Sequence, residues 1–283
     1  MTVLDLRYED YQHLAFERRP NGVVVVVIDR PERMNAANER LHDEFAAVWR
    51  TIGRDPEARV AVVTGRGKAF SAGGDLKEHD NPLAGLRGDR VLRSGQVALE
   101  IVYSMLDLDK PIVSAINGVA VGAGLAVALT ADISVIDQEV RITDGHSRLG
   151  VASGDHAVML WPWMCGMAKS KYYLLTADFL TGAEAERIGL VSLAVPGDEV
   201  LERAYTIADQ LGRGPQRALR STKRSLNHVL RSAAPAFELS VALETIDFYQ
   251  EDAREGILAF QEKRAPEFPS AAPEAPSTPS DDD

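Results

Sequence analysis

Two segments of the chain join an apolar run to a cluster of glycines and alanines. The first continues from Val60–Thr64 into the segment 69–75, Ala-Phe-Ser-Ala-Gly-Gly-Asp, and the second runs from Pro111 to Gly124. Each segment indicates a buried strand, a turn of small residues and the start of a helix. Two such turns in one domain can present two backbone N–H groups toward one point. Fixed donors at a helix N-terminus stabilise developing negative charge, so the pattern predicts an oxyanion site.

The hydrophobic pattern predicts the elements that must position these turns. Apolar runs predict strands over 23–28, 60–64, 111–116, 133–136 and 140–142. Helical spacing or apolar composition predicts helices over 41–52, 96–106, 122–130 and 155–164. Strands that alternate with helices indicate an α/β fold with a mostly parallel core.

Three further segments are predicted from composition. Residues 79–95 are polar and rich in Gly and Arg, which favours a mobile loop beside the site. From about Glu199 onward helices are expected to dominate. Residues 265–283 carry five prolines together with Ser, Ala and acidic residues, so we expect a disordered tail.

Bulk composition excludes several function classes. The net charge of -11 argues against broad binding of nucleic acid or of an anionic membrane. No apolar run approaches the roughly 20 residues that a membrane span needs, and Met1–Arg7 lacks an apolar signal core. Cys165 is the only cysteine, so a cytoplasmic location is the simple expectation. His13, His42, His79 and His228 show no metal-ligand spacing, and we predict no metal.

Four segments, in this order, resemble the crotonase (enoyl-CoA hydratase/isomerase) superfamily. They are FSAGGDLKE at 70–78, NGVAVGAG at 117–124, LTGAEA at 180–185 with GLV at 189–191, and EGILAFQEKR at 255–264. The resemblance covers about residues 12–268. It implies an α/β fold whose ββα units wind into a spiral core over residues 1–198. It also implies a C-terminal helical region, 199–264, that assembles homotrimers or homohexamers, before the tail at 265–283.

The resemblance further implies how a CoA thioester is held. The N–H groups of Ala72 and Ala123 would form an oxyanion hole around the thioester carbonyl. The positions that match CoA contacts of the family are Met34, Ala36, Ala69, Ala72, Gly73, Asp75, Leu76, Phe260 and Lys263. Asp75 is also a candidate helix cap. Phe260 and Lys263 would reach CoA in a neighbouring subunit, or else are one core aromatic and one solvated charge. Coenzyme A would enter as part of the substrate, with no permanently bound cofactor.

The positions of the two glutamates that hydratases of this superfamily use hold Ala126 and His146 here. Ala126 cannot move a proton, whereas a histidine with a free pKa of roughly 6.5 can do so near neutrality. The two-glutamate mechanism is therefore not available.

The segment DGHSRLGVASGD at 144–155 also resembles the β-diketone (oxocamphor) hydrolases, a crotonase branch that cleaves carbon–carbon bonds. His146, Asp155 and Glu244 match the catalytic residues of that branch, and Asp155 would hold and polarise His146. The branch has a second histidine where this chain has Ala123. It also lacks the AGGD segment for CoA, which this chain keeps.

Several hypotheses stay open at this point. The first is an enzyme that adds water to an unsaturated or β-keto acyl-CoA, with His146 and Asp155 as acid and base. The second is hydrolytic carbon–carbon cleavage of a β-diketone, CoA-linked or free. The third is a double-bond isomerase or a non-catalytic acyl-CoA binder. Alternatively, His146 is a core histidine and Asp155 caps the helix at 155–164. His156 is a secondary candidate for proton transfer.

Overall fold

The computed structural model describes residues 4–76, Leu83, Leu86 and 88–271. The strands are β1 (Leu14–Arg19), β2 (Val23–Ile28), β3 (Val60–Gly65), β4 (Ala69–Ser71), β5 (Ile112–Ile116), β6 (Val119–Val121), β7 (Ile133–Asp137), β8 (Arg141–Thr143), β9 (Leu180–Thr181) and β10 (Leu193–Val195). The helices are α1 (Glu39–Arg54), α2 (Gly88–Asp107), α3 (Gly122–Thr130), α4 (Ala157–Met164), α5 (Gly166–Thr176), α6 (Gly182–Arg187), α7 (Val200–Arg213), α8 (Gln216–Arg231), α9 (Ala234–Asp247) and α10 (Glu251–Glu262).

The strands form two sheets, and from β3 to β8 the chain adds a strand to each sheet in turn. The larger sheet has the order β1-β2-β3-β5-β7-β10, and the smaller sheet has the order β4-β6-β8-β9. Successive turns of the chain place one strand in the larger sheet, the next strand in the smaller sheet and then a helix: β3-β4-α2, β5-β6-α3 and β7-β8-α4. Neighbouring turns pair in parallel in both sheets. This arrangement is the predicted ββα spiral.

The run of β-branched residues in β2 explains why the larger sheet is buried on both faces. Val24, Val26 and Ile28 point into the main core, which lies between the two sheets and the helices. The alternate residues Val23, Val25 and Val27 face a second apolar cluster that α7 covers with Val200, Ala204 and Ala208. A strand alternates its side chains between faces, so an unbroken apolar run needs two covering layers.

The predicted strands and the helices over 41–52 and 122–130 are confirmed, with boundaries that agree to within two residues. The expected loop over 79–95 is wrong for residues 88–95, which form the first turns of α2. Long-range packing stabilises these turns, because Val91 is buried and Arg93 forms ion pairs with Glu39 and Asp43 on α1. Residues 77–82, 84, 85 and 87 lie outside the described part of the chain.

Helices α7 to α10 follow the spiral and account for most of residues 200–262, as predicted. The first residues of the expected tail, 265–271, lie against α10. There the Glu267 N–H donates to Glu255, and the Ser270 N–H donates to Asp252 at 3.0 Å. Residues 272–283 are outside the described chain. Within the described residues, no helix is both long enough and apolar enough to cross a bilayer.

Candidate active site

Both glycine-rich turns line one cavity of about 870 Å³. The predicted site residues on its wall are Ala72, Gly73, Asp75, Leu76, Ala123, His146, Asp155, Glu244 and Phe260. Ala126 is on the wall as well. The chain therefore brings together residues from the two turns, from the segment after β8 and from α9 and α10. The predicted site residues on the wall range along the sequence from Ala72 to Phe260.

Four of the predicted CoA contacts are not on this wall, namely Met34, Ala36, Ala69 and Lys263. Ala69 is buried within β4, where its carbonyl accepts a hydrogen bond from Asn35 at 2.8 Å. Lys263 ends α10 in the left-handed conformation. Asp75 forms an ion pair with the buried Arg30 at 3.0 Å, so its carboxylate links the turn after β4 to the segment before α1. Whether it also caps a helix lies outside the described residues.

The glycines in the two turns allow their backbones to touch. A Cβ on Gly124 would lie 2.4 Å from Ser71 Cβ, which is closer than real Cβ contacts come. A Cβ on Gly73, which has φ +88°, would lie 3.2 Å from the Val121 carbonyl oxygen. Because β4 and β6 pair in parallel, the turns that follow them lie side by side. Larger side chains at these positions would separate the turns.

The two predicted oxyanion donors are in different states. Ala123 is the second residue of α3, where a helix leaves its N–H groups without an intrahelical acceptor. The Ala72 N–H instead donates to the Met34 carbonyl oxygen at 3.0 Å. Met34 and Asn35 both have positive φ, at 54° and 56°, so this acceptor lies in a strained turn. A thioester oxygen would meet the Ala123 amide directly and would compete with Met34 for the Ala72 amide.

His146 is a buried residue on the cavity wall, and its ring lies between carboxylates. Its Nδ1 lies 2.9 Å from Asp144 Oδ2, and its Nε2 lies 3.2 Å from Glu244 Oε1. Asp155 Oδ2 is more distant, at 3.8 Å from Nε2. The ring therefore has a hydrogen bond with Asp144 at Nδ1 and an ion-pair contact with Glu244 at Nε2, and both partners are acids.

This environment separates the pKa values of the three groups. Burial disfavours the charged form of His146, but the negative charges of Asp144, Asp155 and Glu244 outweigh it and raise the pKa of His146 well above its usual value. Burial also disfavours ionised Asp144, yet the charge of His146 and its hydrogen bond lower the pKa of Asp144 below its usual range. For Glu244 burial is the dominant cause, and the pKa of Glu244 is raised. The shifts favour the imidazolium form of His146 and the ionised form of Asp144, whereas burial favours the protonated form of Glu244.

Asp155 does not hold His146 in the way that the sequence predicted. Its carboxylate accepts a hydrogen bond from Nδ1 of the fully buried His156, whose Nε2 in turn accepts from Trp161 Nε1 at 3.4 Å. Asp155 is not the helix cap either, since α4 begins at Ala157 and its N-cap residue is His156. Asp155 is therefore a nearby negative charge for His146, and Asp144 occupies the position that we expected for Asp155.

Glu244 reaches His146 from α9 because a glycine faces it. A Cβ on Gly154 would lie 2.2 Å from Glu244 Oε2 and 2.6 Å from Glu244 Cβ. Any side chain at residue 154 would thus force the Glu244 side chain to move from its present position. The close approach of Glu244 thus gives a physical reason for glycine at residue 154, next to Asp155.

Ligand atoms of Asp144, Asp155 and His156 lie within 4.8 Å of one another, a spacing that a metal ion could use. However, both ring nitrogens of His156 are engaged, one with Asp155 and one with Trp161. A metal at this place would have to displace the hydrogen bond between His156 and Asp155. The donor set is therefore better explained as a hydrogen-bonded network than as a coordination site.

Asp144 and Ser153 are the residues that the sequence interpretation missed. Ser153 Oγ donates to Asp144 Oδ2 at 2.6 Å, on the same oxygen that His146 contacts. The Asp-Gly-His triplet could have indicated this contact, because a glycine with positive φ allows the aspartate side chain to reach the histidine two residues later. Gly145 does have φ +80°.

The chain matches known proteins along most of its length. The sequence model of the enoyl-CoA hydratase/isomerase family matches residues 18–271. A probable enoyl-CoA hydratase of Rhodobacter capsulatus is 35% identical over 250 residues, which are 87% of this chain and 94% of that protein. A 1,2-epoxyphenylacetyl-CoA isomerase of Escherichia coli is 29% identical over 253 residues, with 87% and 95% of the two chains covered.

Solved structures give the same result. The crystal structure of an enoyl-CoA hydratase/isomerase from Mycobacterium paratuberculosis is similar with a TM-score of 0.81 and 30% identity, covering 87% of this chain and 97% of that one. A beta-diketone hydrolase from the cyanobacterium Anabaena, bound to (S)-3-oxocyclohexyl acetic acid, is similar with a TM-score of 0.77 and 27% identity. That comparison covers 85% of this chain and 96% of the hydrolase.

Proposed function

Because this chain belongs to the enoyl-CoA hydratase/isomerase family, and is an enzyme of that type, we propose that it adds water to an unsaturated acyl-CoA thioester. The acyl-CoA is the substrate class of the family, and the cavity between the glycine-rich turns would receive it. The observation that carries the proposal is the His146–Glu244 pair, which is 3.2 Å apart on the wall that also holds Ala72 and Ala123.

The thioester carbonyl would bind at the N-terminus of α3. The Ala123 amide would donate to its oxygen, and the Ala72 amide would join after releasing the Met34 carbonyl. As water adds to the β carbon, electrons shift onto this oxygen and form an enolate. Fixed amide donors stabilise that charge more in the transition state than in the ground state, which lowers the barrier.

Proton transfer would use His146 and Glu244 together. Glu244, as a carboxylate, removes a proton from the attacking water, whose oxygen bonds to the β carbon. The His146 imidazolium delivers its Nε2 proton to the α carbon of the enolate. Glu244 then returns the captured proton to Nε2 across their 3.2 Å contact, which restores both groups. Asp155 contributes negative charge at 3.8 Å rather than direct transfer.

The test is turnover of crotonyl-CoA and longer enoyl-CoA thioesters, followed as loss of the enoyl absorbance. Wild type should hydrate at least one of them, and His146→Ala should reduce kcat by about 10²- to 10⁴-fold, the usual contribution of a positioned acid or base. His228→Ala, an exposed histidine on α8, is the matched control and should leave kcat unchanged. Full activity of His146→Ala would refute the proposal.

Hydrolytic carbon–carbon cleavage is the second candidate. It is favoured by the fact that His146, Asp155 and Glu244 all face one cavity, together with the similarity to the Anabaena beta-diketone hydrolase. Here water would add to one carbonyl of a β-diketone, and the bond from that carbonyl carbon to the central carbon would break. The hydrated carbonyl would leave as a carboxylic acid and the other fragment as an enolate. Protonation of the enolate at the central carbon would complete the reaction. Loss of a cyclic β-diketone that is abolished in His146→Ala, with every enoyl-CoA left unchanged, would select this reaction.

Assembly into a trimer or hexamer is also part of the proposal. Helix α4 packs against both α5 and α9. These three helices carry exposed apolar side chains, namely Trp163, Met167, Leu175, Leu239, Leu243 and Ile246. Such side chains on neighbouring helices favour contact with further copies of the chain. Light scattering behind a sizing column should give three or six times 30.8 kDa. A monomer at micromolar concentration would argue against the assembly.

A further inference from the structure

Asp144 is the acid closest to His146, although no catalytic role follows for it from the sequence. It lies directly after β8 and is 3% exposed. Its Oδ2 accepts hydrogen bonds from His146 Nδ1 at 2.9 Å and from Ser153 Oγ at 2.6 Å. Its Oδ1 is buried and has no hydrogen-bond partner among the described residues. Within the described chain its ion-pair partner is His146.

We propose that Asp144, held in place by Ser153, is a positioning residue that fixes the tautomer and the orientation of His146. This inference rests on the proposed function, because it concerns the group that moves protons in that reaction. It assigns Nδ1 as the nitrogen that always carries a hydrogen. Nε2 is then the nitrogen that releases and regains its proton.

The chemistry of imidazole explains why such a residue is needed. A neutral imidazole has one N–H and one lone pair, and the hydrogen bond at one nitrogen decides where each lies. After His146 gives its proton to the enolate, the lone pair must remain on Nε2, 3.2 Å from Glu244, for the proton to return. A carboxylate at Nδ1 accepts only from an N–H, so it enforces this tautomer.

The local backbone makes the contact specific. Gly145, between the two residues, has φ +80°, and it leads into the 3-10 turn His146–Leu149. A left-handed residue at this point lets the carboxylate of residue 144 reach the ring two positions later. Ser153, nine residues later, donates a hydrogen bond to the same carboxylate and so restricts rotation of the Asp144 side chain. The pair thus leaves His146 one orientation, with Nε2 toward the cavity.

The experiment is nitrogen NMR of the imidazole signals in the full-length protein labelled at histidine, recorded as a function of pH. His146 is identified by the signal that is lost in His146→Gln. In wild type the neutral form should be the Nδ1–H tautomer, with a titration midpoint above the ordinary histidine range. Asp144→Asn should lower the midpoint by at least about one pH unit, since a nearby opposite charge shifts a pKa by roughly 1–3 units.

Ser153→Ala should move the midpoint in the same direction by a smaller amount, and it tests the inference if Asp144→Asn does not fold. Asp132→Asn is the matched control, because it removes a carboxylate that pairs with Lys223 at 2.8 Å and not with a histidine. In that control the His146 signals should not move. On a turned-over thioester, Asp144→Asn should lower kcat more than it changes KM.

An unchanged tautomer and midpoint in both Asp144→Asn and Ser153→Ala would overturn the inference. This outcome can be distinguished from failure of the proposed function, because the NMR measurement needs no substrate. If wild type turns over no thioester while the midpoint falls in Asp144→Asn, the positioning role stands and the reaction assignment fails.

Discussion

Glu244→Gln is the substitution that most directly tests the proposed proton transfer. Glutamine has nearly the same size and can still accept a hydrogen bond from His146 Nε2, but it carries no charge and is not a base. The substitution should therefore have two effects at once. The chain should lose the group that takes the proton from water, and His146 should lose one of the negative charges that favour its protonated form.

The size of the second effect follows from the distance between the groups. At 3.2 Å, two unit charges attract each other by about 5 kcal/mol at an effective dielectric constant of about 20. At roughly 1.4 kcal/mol per pKa unit, that sets an upper bound of about four units for the change in the pKa of His146. The real change must be smaller, because burial raises the pKa of Glu244 and so reduces its ionised fraction. We therefore expect the pKa of His146 to fall by about one to two units.

The assay is the pH dependence of kcat on whichever thioester the wild type turns over. In the proposed mechanism protonated His146 is the active form, so the rate should fall as pH rises through its pKa. In Glu244→Gln this alkaline limb should move to lower pH, and kcat at the optimum should drop by about 10²- to 10⁴-fold. Glu184→Gln, on α6 at an ion pair with Arg187, is the control and should retain the wild-type profile. An unmoved alkaline limb with nearly full activity would refute the reasoning.

Stability against pH gives a second measurement on the same variant. A raised folded-state pKa for His146 means that its ion pairs stabilise the fold fully below the unfolded value of roughly 6.5. That stabilisation is lost as pH rises through the folded pKa, where the buried Glu244 charge also loses its cation. The stability advantage of wild type over Glu244→Gln, from urea unfolding, should thus shrink on going from pH 6 to above the pKa of His146. An advantage that grows over this range would contradict the assignment of charge.

Two other substitutions test packing around the site and in the core. Gly154→Ala places a Cβ 2.2 Å from Glu244 Oε2, so Glu244 must move; kcat should fall at least about tenfold and thermal unfolding should show about 1–3 kcal/mol of destabilisation. Wild-type kcat in this variant would mean that the position of Glu244 is unimportant. Lys110→Met removes a buried ammonium that donates to three backbone carbonyls, at Ile52, Gly53 and Asp55, and should cost about 2–4 kcal/mol in urea unfolding. The exposed Lys171→Met should cost less than about 0.5 kcal/mol, and equal effects of the two lysine variants would refute this account.

Much of the spiral could be predicted from the sequence because its strands are continuous apolar runs. Val23–Ile28 and Val60–Gly65 are buried at every position, so no alternation of polar residues obscured them. The helix 122–130 was marked by glycines followed by Leu125 and small apolar residues. By contrast, the start of α2 depends on ion pairs from Arg93 to α1, which are 50 or more residues away. Local composition cannot reveal such partners.

The candidate site shows the same division. His146 and Glu244 were predicted from the family pattern, and the structure brings them together, but the pattern does not give their contacts. Which acid touches which nitrogen of His146 depends on the positive φ of Gly145 and on the course of the chain after β8. A pattern match assigned Asp155 to His146, whereas the folded chain gives Asp155 to His156 and Asp144 to His146. Rotation about a few backbone and side-chain bonds decides which aspartate contacts His146, and the spacing of residues along the sequence does not specify those rotations.

The arrangement has a consequence for how the reaction would be completed. The resemblance implied two glutamates on the cavity wall, but Ala126 offers only a methyl group at the first position. In the proposed reaction the acid is therefore His146, at the second position, and the base is Glu244, which reaches it from α9 as an ion-pair partner. When two groups that exchange protons with the substrate are 3.2 Å apart, one internal transfer restores both of them without solvent. The same proximity means that neither group titrates alone, so one substitution in the pair must change the pH dependence of the other.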